Sequence, residues 1–185
     1  MASGKASFPT RRAAAARNRD KILDAARGAF ADPAAEVSMA EIARRAGVGM
    51  ATLYRNFPGR RELLEALYAD EVDVLCAAAR PGHEPAVALT TWLRRLFDFL
   101  PGKRLIVSEL LEFTDPDRPF VQGGRARALA AGRPLLTAAQ EAHEIRADLT
   151  IEQIFDMMAA IAKIHGDAEY LDPMFQTMLD GLRCS

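Results

Sequence analysis

The stretch Ala40–Phe57, AEIARRAGVGMATLYRNF, limits what this chain can fold into more than any other. Its first half spaces Ile42, Ala43 and Ala46 as the inner face of a short helix. Gly47 breaks that helix and Val48 returns to the core. The spacing then predicts a second short helix over about Gly49 to Asn56, with Leu53 turned inward. Ala43 lets the two helices cross closely, and Gly47 can take the positive φ that a tight turn between helices needs. Two short helices joined this way make a helix-turn-helix, whose second member can enter a DNA major groove. Met50, Ala51, Thr52 and Arg55 fall near its outer face, with Tyr54 and Asn56 at the flanks. Taken alone, the Ala43–Gly47–Leu53 spacing fits many amphipathic helix pairs; the flanking sequence decides among them.

Composition narrows the field. The chain has 185 residues, half of them hydrophobic, rich in Ala and Leu and poor in β-branched runs, which predicts an all-α protein. No apolar run approaches the ~20 residues that span a bilayer, and the N-terminal segment lacks a signal peptide's apolar region. Cys76 and Cys184 are far apart and without metal-type spacing, so a reduced, cytoplasmic protein is expected. His83, His143 and His165 show no ligand spacing, and neither a metal nor a cofactor is expected. The net charge of −1 hides an asymmetry. Residues 1–61 carry twelve Lys and Arg against five Asp and Glu, a net of +7, and the remainder carries −8. A basic head on an acidic body confines attraction for phosphate to one end.

The continuation GVGMATLYRNFPGRRELLEALY closely resembles the signature of the TetR family of bacterial transcription regulators. The residues that carry the likeness are Thr52-Leu53-Tyr54, Phe57, a turn, basic Arg60, and a long helix opening with Leu63-Leu64. The preceding AARNRDKILDAARGAFA is similar to that family's first helix, so the likeness covers roughly residues 12 to 70. It implies a disordered basic arm over residues 1–11 and a three-helix DNA-binding head over 12–58. A helical body for effector binding and dimerisation follows over 59–185. Arg11 and Arg12 are read as a solvated tail, or as an arm reaching a minor groove.

Within the head, helical spacing of Ile22, Ala25, Ala26, Ala29 and Phe30 predicts a first helix from about Arg12 to Ala31, stopped by Asp32-Pro33. Ser38 followed by Glu41 has the spacing of a capping box; Ser38 is read as the cap, at a helix start that can also receive a phosphate. Arg44 lies on the outer side, as surface charge or near the DNA backbone. Thr52 can offer its hydroxyl to phosphate and its methyl to thymine, while Arg55 can pair with guanine or rest on phosphate. Tyr54 and Asn56 resemble family positions that hold the DNA backbone, and Arg60 matches the family's usual phosphate-contacting lysine. Gly49 stands where serine is frequent, which keeps a helix cap but removes one hydroxyl. Met50 and Ala51 leave base reading to van der Waals contact and DNA shape.

In the body, a fourth helix is expected from Gly59 to about Ala79 with a stripe of Leu63, Leu64, Leu67, Val74 and Leu75, and with Cys76 as a buried small hydrophobe. Arg80–Pro85 reads as a loop. Leu89, Trp92, Leu93, Leu96, Phe97 and Leu100 predict a helix ended by Pro101-Gly102. Another is expected from about Lys103 to Phe113, with Glu109 either a surface carboxylate or a polar anchor in a cavity. A long helix over Arg118–Ala142 should be interrupted at Gly132 and Pro134, with His143 as its C-terminal cap. Thr150 with Gln153 opens the next helix, striped by Ile151, Ile154, Phe155, Met158, Ile161 and Ala162. Phe175, Met178, Leu179 and Leu182 mark the last, after Asp172-Pro173.

The resemblance implies a homodimer, its final helix pair packed against a twin, on a palindromic double-stranded DNA operator. Candidate interface residues are Ile154, Met158, Ile161, Phe175, Met178 and Leu182. The expected behaviour is repression relieved by an unidentified small apolar or amphipathic effector. Trp92, Phe97, Glu109, Phe113, Phe155 and Met158 are the candidate pocket residues, although apolar side chains at such helical spacing are more often plain core. An enzyme finds no support in the sequence, which lacks His-Glu-x-x-His, Gly-x-Ser-x-Gly and a phosphate-cradling glycine loop. A body answering to a protein partner, or to nothing, is the remaining alternative.

Overall fold

The computed structural model describes residues 11–30, 37–112 and 119–184. It is all-helical: α1 (Arg11–Phe30), α2 (Met39–Ala46), α3 (Met50–Asn56), α4 (Arg60–Ala77), α5 (Pro85–Glu112), α6 (Pro119–Glu141), α7 (Ile151–Lys163) and α8 (Ala168–Asp180). The chain divides into two compact units between Leu67 and Tyr68. The division falls inside α4 rather than at the Pro58-Gly59 turn, because the first two turns of α4 bury Leu63, Leu64 and Leu67. Residues 1–10 of the expected arm, the Asp32-Pro33 stop and Phe113 lie outside the described residues, while Arg11, expected as the arm's last residue, begins α1.

In the first unit α1 crosses α2 and α3, and Ile22, Ala26, Ala29, Ile42, Ala43 and Leu53 are buried in its core. Alanines at three of these positions let the short helices approach closely without large side chains intervening. Arg19 lies over the Phe57 ring, 4.7 Å from its centroid, and covers a side chain that is otherwise fully buried.

The second unit is built on α5, α6, α7 and α8. Trp92 is 1% exposed, and its Nε1–H donates to the Leu75 carbonyl at 3.1 Å, tying α5 to the last turns of α4. Phe97 stacks on Phe175 at 4.2 Å between centroids, and Arg94 covers the Phe175 ring while pairing with Asp172. Thr150 and Gln153 form the full reciprocal capping box expected of them.

Four expectations are corrected. Pro101-Gly102 does not end a helix; α5 runs 28 residues through it. A proline removes one ladder bond, and a helix already nucleated on one side can continue on the other. Pro173 likewise lies inside α8, which starts earlier, where Asp167 accepts a hydrogen bond from the Tyr170 N–H at 3.0 Å. Gly132 and Pro134 sit inside an unbroken α6. Val74 is 63% exposed, while Tyr68, Val72 and Leu75 are buried, so the apolar stripe of α4 changes face after Leu67.

His143 does cap α6, but through its backbone. Its φ of 56° turns the chain left-handed, and its N–H donates to Gln140 O at 3.0 Å. A side chain in that region is strained, which glycine relieves at some cost in unfolded-state entropy. His143→Gly is therefore expected to stabilise the body by about 0.5–1 kcal/mol in urea denaturation. A loss of stability would show that the imidazole, not the turn, matters.

Candidate nucleic-acid interface

The outer half of the first unit is set by three local devices. Ser38 opens α2, its hydroxyl accepting the Glu41 N–H at 3.1 Å. Gly47 closes α2 at φ 65° and ψ 34°, with its N–H directed to the Ala43 and Arg44 carbonyls. Gly49 caps α3 with extended backbone and no side chain, so both Thr52 and Leu53 N–H groups close on its carbonyl. The result is two short helices across a glycine turn, held by buried Ile42, Ala43, Ala46 and Leu53.

α3 then presents Met50, Ala51, Tyr54 and Arg55 to solvent, with Thr52 and Asn56 half-buried. Tyr54 is 47% exposed. Arg55 folds back along its own helix, its Nε donating to Ala51 O and one terminal nitrogen to the Thr52 hydroxyl, both at 3.2 Å. Asn56 donates from its amide to Thr52 O at 2.8 Å, which fixes its orientation at the helix end. Several guanidinium and amide donors on these side chains remain for an external acceptor.

Arg60 occupies a more structural place than the sequence implies. One guanidinium nitrogen donates to the Val37 carbonyl, and the group lies 5.2 Å from the Phe30 ring centroid. It thereby joins the start of α4 to the end of α1 and the entry to α2. A guanidinium has five N–H donors, and this clamp engages one of them through the Val37 carbonyl. Arg60→Ala is expected to cost the head about 1–2 kcal/mol through the lost hydrogen bond and cation–π contact, besides weakening DNA binding. Arg60→Lys should keep most of the salt dependence of binding while losing much of that stability. Thermal unfolding of Arg60→Ala indistinguishable from the parent would remove the clamp from the account.

The capping box at α2 is only half formed. Glu41 does not reach back to Ser38; its two oxygens bind Arg44 through Nε at 2.7 Å and Nη2 at 2.8 Å, and Arg45 through Nε at 2.7 Å. Hydrogen bonds from Arg44 first, then Arg45, hold the Glu41 carboxyl at a pKa of about 2. It is therefore ionised throughout the neutral range. Arg44 remains well exposed, with 73% of its side chain open to solvent. The spacing of Glu41 from both arginines, three and four residues, is the signal in the sequence for this cluster.

The effector and interface candidates fall out differently. Trp92, Phe97 and Met158 are buried in the second unit's core, and Phe155 is half-buried beneath the Arg125 guanidinium. Glu109 lies on α5, and Phe113 is not among the described residues. Ile154, Met158 and Phe175 are fully buried and Leu182 is 1% exposed, so these four interface candidates have no surface to offer a twin. They are on the inward stripe of α7, on α8 and just beyond its end, because monomer packing already uses the most apolar positions. Ile161 and Met178 are partly buried against the same core. The exposed apolar side chains of this region are instead Met157, Ile164 and Tyr170, which the sequence reading passed over. Their signal is position: Met157 and Ile164 lie seven residues apart, one line beside the buried stripe.

Comparison with known proteins agrees with this geometry. Residues 22–67 match the family model for bacterial regulatory proteins of the TetR family, and residues 84–184 match that for the C-terminal domain of SbtR-like transcriptional regulators. A TetR transcriptional regulator of Streptomyces coelicolor is 35% identical, with 89% of this chain and 98% of that one covered and a TM-score of 0.74. A TetR transcription regulatory protein of Mycobacterium vanbaalenii is 32% identical over 94% of this chain and 99% of its own, with a TM-score of 0.76. RolR, solved in complex with resorcinol, shares the fold at 21% identity and a TM-score of 0.55, over 93% of this chain and 90% of its own. None of the curated proteins compared with the chain matches it. A glycine-turned helix pair with a basic, tyrosine-bearing outer face thus sits in a sequence that solved relatives match over 89% and 94% of its length, and the chain belongs to the TetR family of DNA-binding transcriptional regulators.

Proposed function

We propose that this regulator is a dimeric, cytoplasmic repressor that leaves a palindromic operator when a small molecule binds its C-terminal body, acting by binding alone and not by catalysis. The observation that carries the reading is α4. This single helix begins at Arg60, clamped to Val37 and Phe30 in the head, and its later turns end in the body, where Leu75 O accepts the Trp92 Nε1–H. A ligand that binds one arrangement of the body more tightly can therefore bias the helix on which the head ends. A differential affinity of about 1–3 kcal/mol corresponds to roughly 5- to 150-fold in operator binding.

The head's part is shared among its side chains. Ser38, Arg44, Tyr54, Asn56 and Arg60 are assigned to the phosphate backbone, while Met50, Ala51, Thr52 and Arg55 face the bases, with Gly49 as the cap that sets their approach. In the body, Met157, Ile164 and Tyr170, beside Ile161 and Met178, are assigned to contact with the twin. The RolR–resorcinol complex supports a small organic effector in a body of this fold.

Selection of bound sequences from a random duplex library at near-physiological salt tests the reading. An enriched palindrome with half-sites about one helical turn apart supports a symmetric dimer. Enrichment of a lone half-site from a protein that stays monomeric would overturn it.

A further inference from the structure

We propose that Glu41 is an electrostatic restraint on the DNA-binding head: by holding Arg44 and Arg45 together it offsets one of their two charges and lowers affinity for any duplex. On α2, Glu41 is the sole acid beside Arg44 and Arg45.

 From Val37 to Arg61 the chain carries five arginines and one acid, Glu41. That one acid serves no cap. A Glu at the third position of a helix ordinarily reaches back to the capping residue's N–H, yet this one makes three hydrogen bonds to arginines instead. All three side chains lie on the surface of a helix that belongs to the DNA-binding element, where the sequence-independent part of affinity is set by how many phosphate charges the protein neutralises.

The consequence follows from charge alone. The cluster presents a net of one positive charge where its arginines would present two, and an approaching phosphate must compete with the carboxylate for the same N–H groups. Removing the carboxylate's charge should add about one to the number of phosphates neutralised per head, which for each head engaged steepens the logarithmic salt dependence by about 0.9 and raises affinity about fivefold at 0.15 M salt. The gain should be the same for any sequence, because phosphates carry no base identity.

Glu41→Gln tests this without an operator. Glutamine can complete the capping box with Ser38, so α2 is expected to keep its start. Binding of the full-length protein to a fixed-sequence random duplex is followed by fluorescence anisotropy across a range of salt concentrations, beside thermal unfolding of the same samples. The expected result is tighter binding with a steeper salt slope for Glu41→Gln, and a parental slope for Glu41→Asp, which keeps the charge and shortens the reach. Weaker binding by Glu41→Gln, or an unchanged slope, would overturn the restraint. A Glu41→Asp protein that behaved like Glu41→Gln would overturn it too, since geometry and not charge would then be the cause.

Discussion

Gly132→Ala is expected to destabilise the body by about 2–3 kcal/mol, although alanine is the better helix former. A Cβ at this point of α6 would overlap the Trp92 ring, 2.5 Å from Cη2, and would stand 3.3 Å from Ile151 Cδ1. Trp92 cannot yield without moving its Nε1–H away from Leu75 O, in a core where both groups would then lack partners. Overpacking costs about 1–3 kcal/mol and an unsatisfied buried pair a similar amount, against a helix-propensity gain of about 1 kcal/mol. Gly123→Ala, on the same helix with nothing near the added carbon, should stabilise instead by about 0.5–1 kcal/mol. Trp92 is the chain's sole tryptophan, so its fluorescence during urea unfolding reports on the contact itself. A Gly132→Ala protein as stable as the parent would mean that the α5–α6 approach is not as close as described.

That glycine shows where reading the sequence stops. Gly132 beside Pro134 looks like an interruption, because in one dimension both residues are helix breakers. In three dimensions the missing side chain is what Trp92 packs into, and the helix continues. Proline misled in the same way at Pro101 and Pro173: each removes one hydrogen bond, a cost that flanking helix and tertiary packing can outweigh. By contrast, the turns at Gly47 and at Thr150-Gln153 were legible, since their geometry depends on residues within a few positions of one another.

The head was legible for a related reason. Its helix-turn-helix pair is short, the contacts within that pair lie close in sequence, and the residues that face outward are the ones left over when Ile42, Ala43, Ala46 and Leu53 face in. What stayed hidden were choices among partners. Arg60 was read as a phosphate ligand and also clamps Val37; Glu41 was read as half of a capping box and instead binds two arginines. On α7 and α8 the apolar pattern marked which residues bury, but not whether against the chain's own core or a twin. Burial of Ile154 and Phe175 assigns them to the core, and leaves Met157, Ile164 and Tyr170 on the surface.

Leu53→Ala is expected to cost the head about 2–5 kcal/mol and to abolish most DNA binding while the body stays folded. α3 has seven residues and no side-chain cap, far below the length at which an isolated helix holds in water. It persists because Leu53, at 0% exposed, and Phe57 beyond its end are anchored in the unit's core. A head of this size has little stability in reserve. Once the competent state is a minor population, apparent affinity falls in proportion to that population, whatever Tyr54 and Arg55 can still contact. The fall should be equal for operator and random duplex, which separates it from Arg55→Ala, expected to relax preference at one base position only. Circular dichroism should show a low-temperature transition that carries the head's helices, followed by an unchanged body transition reported by Trp92. Full retention of DNA affinity by Leu53→Ala would mean that α3 is held by something other than its buried face, since no other side chain of the helix is buried.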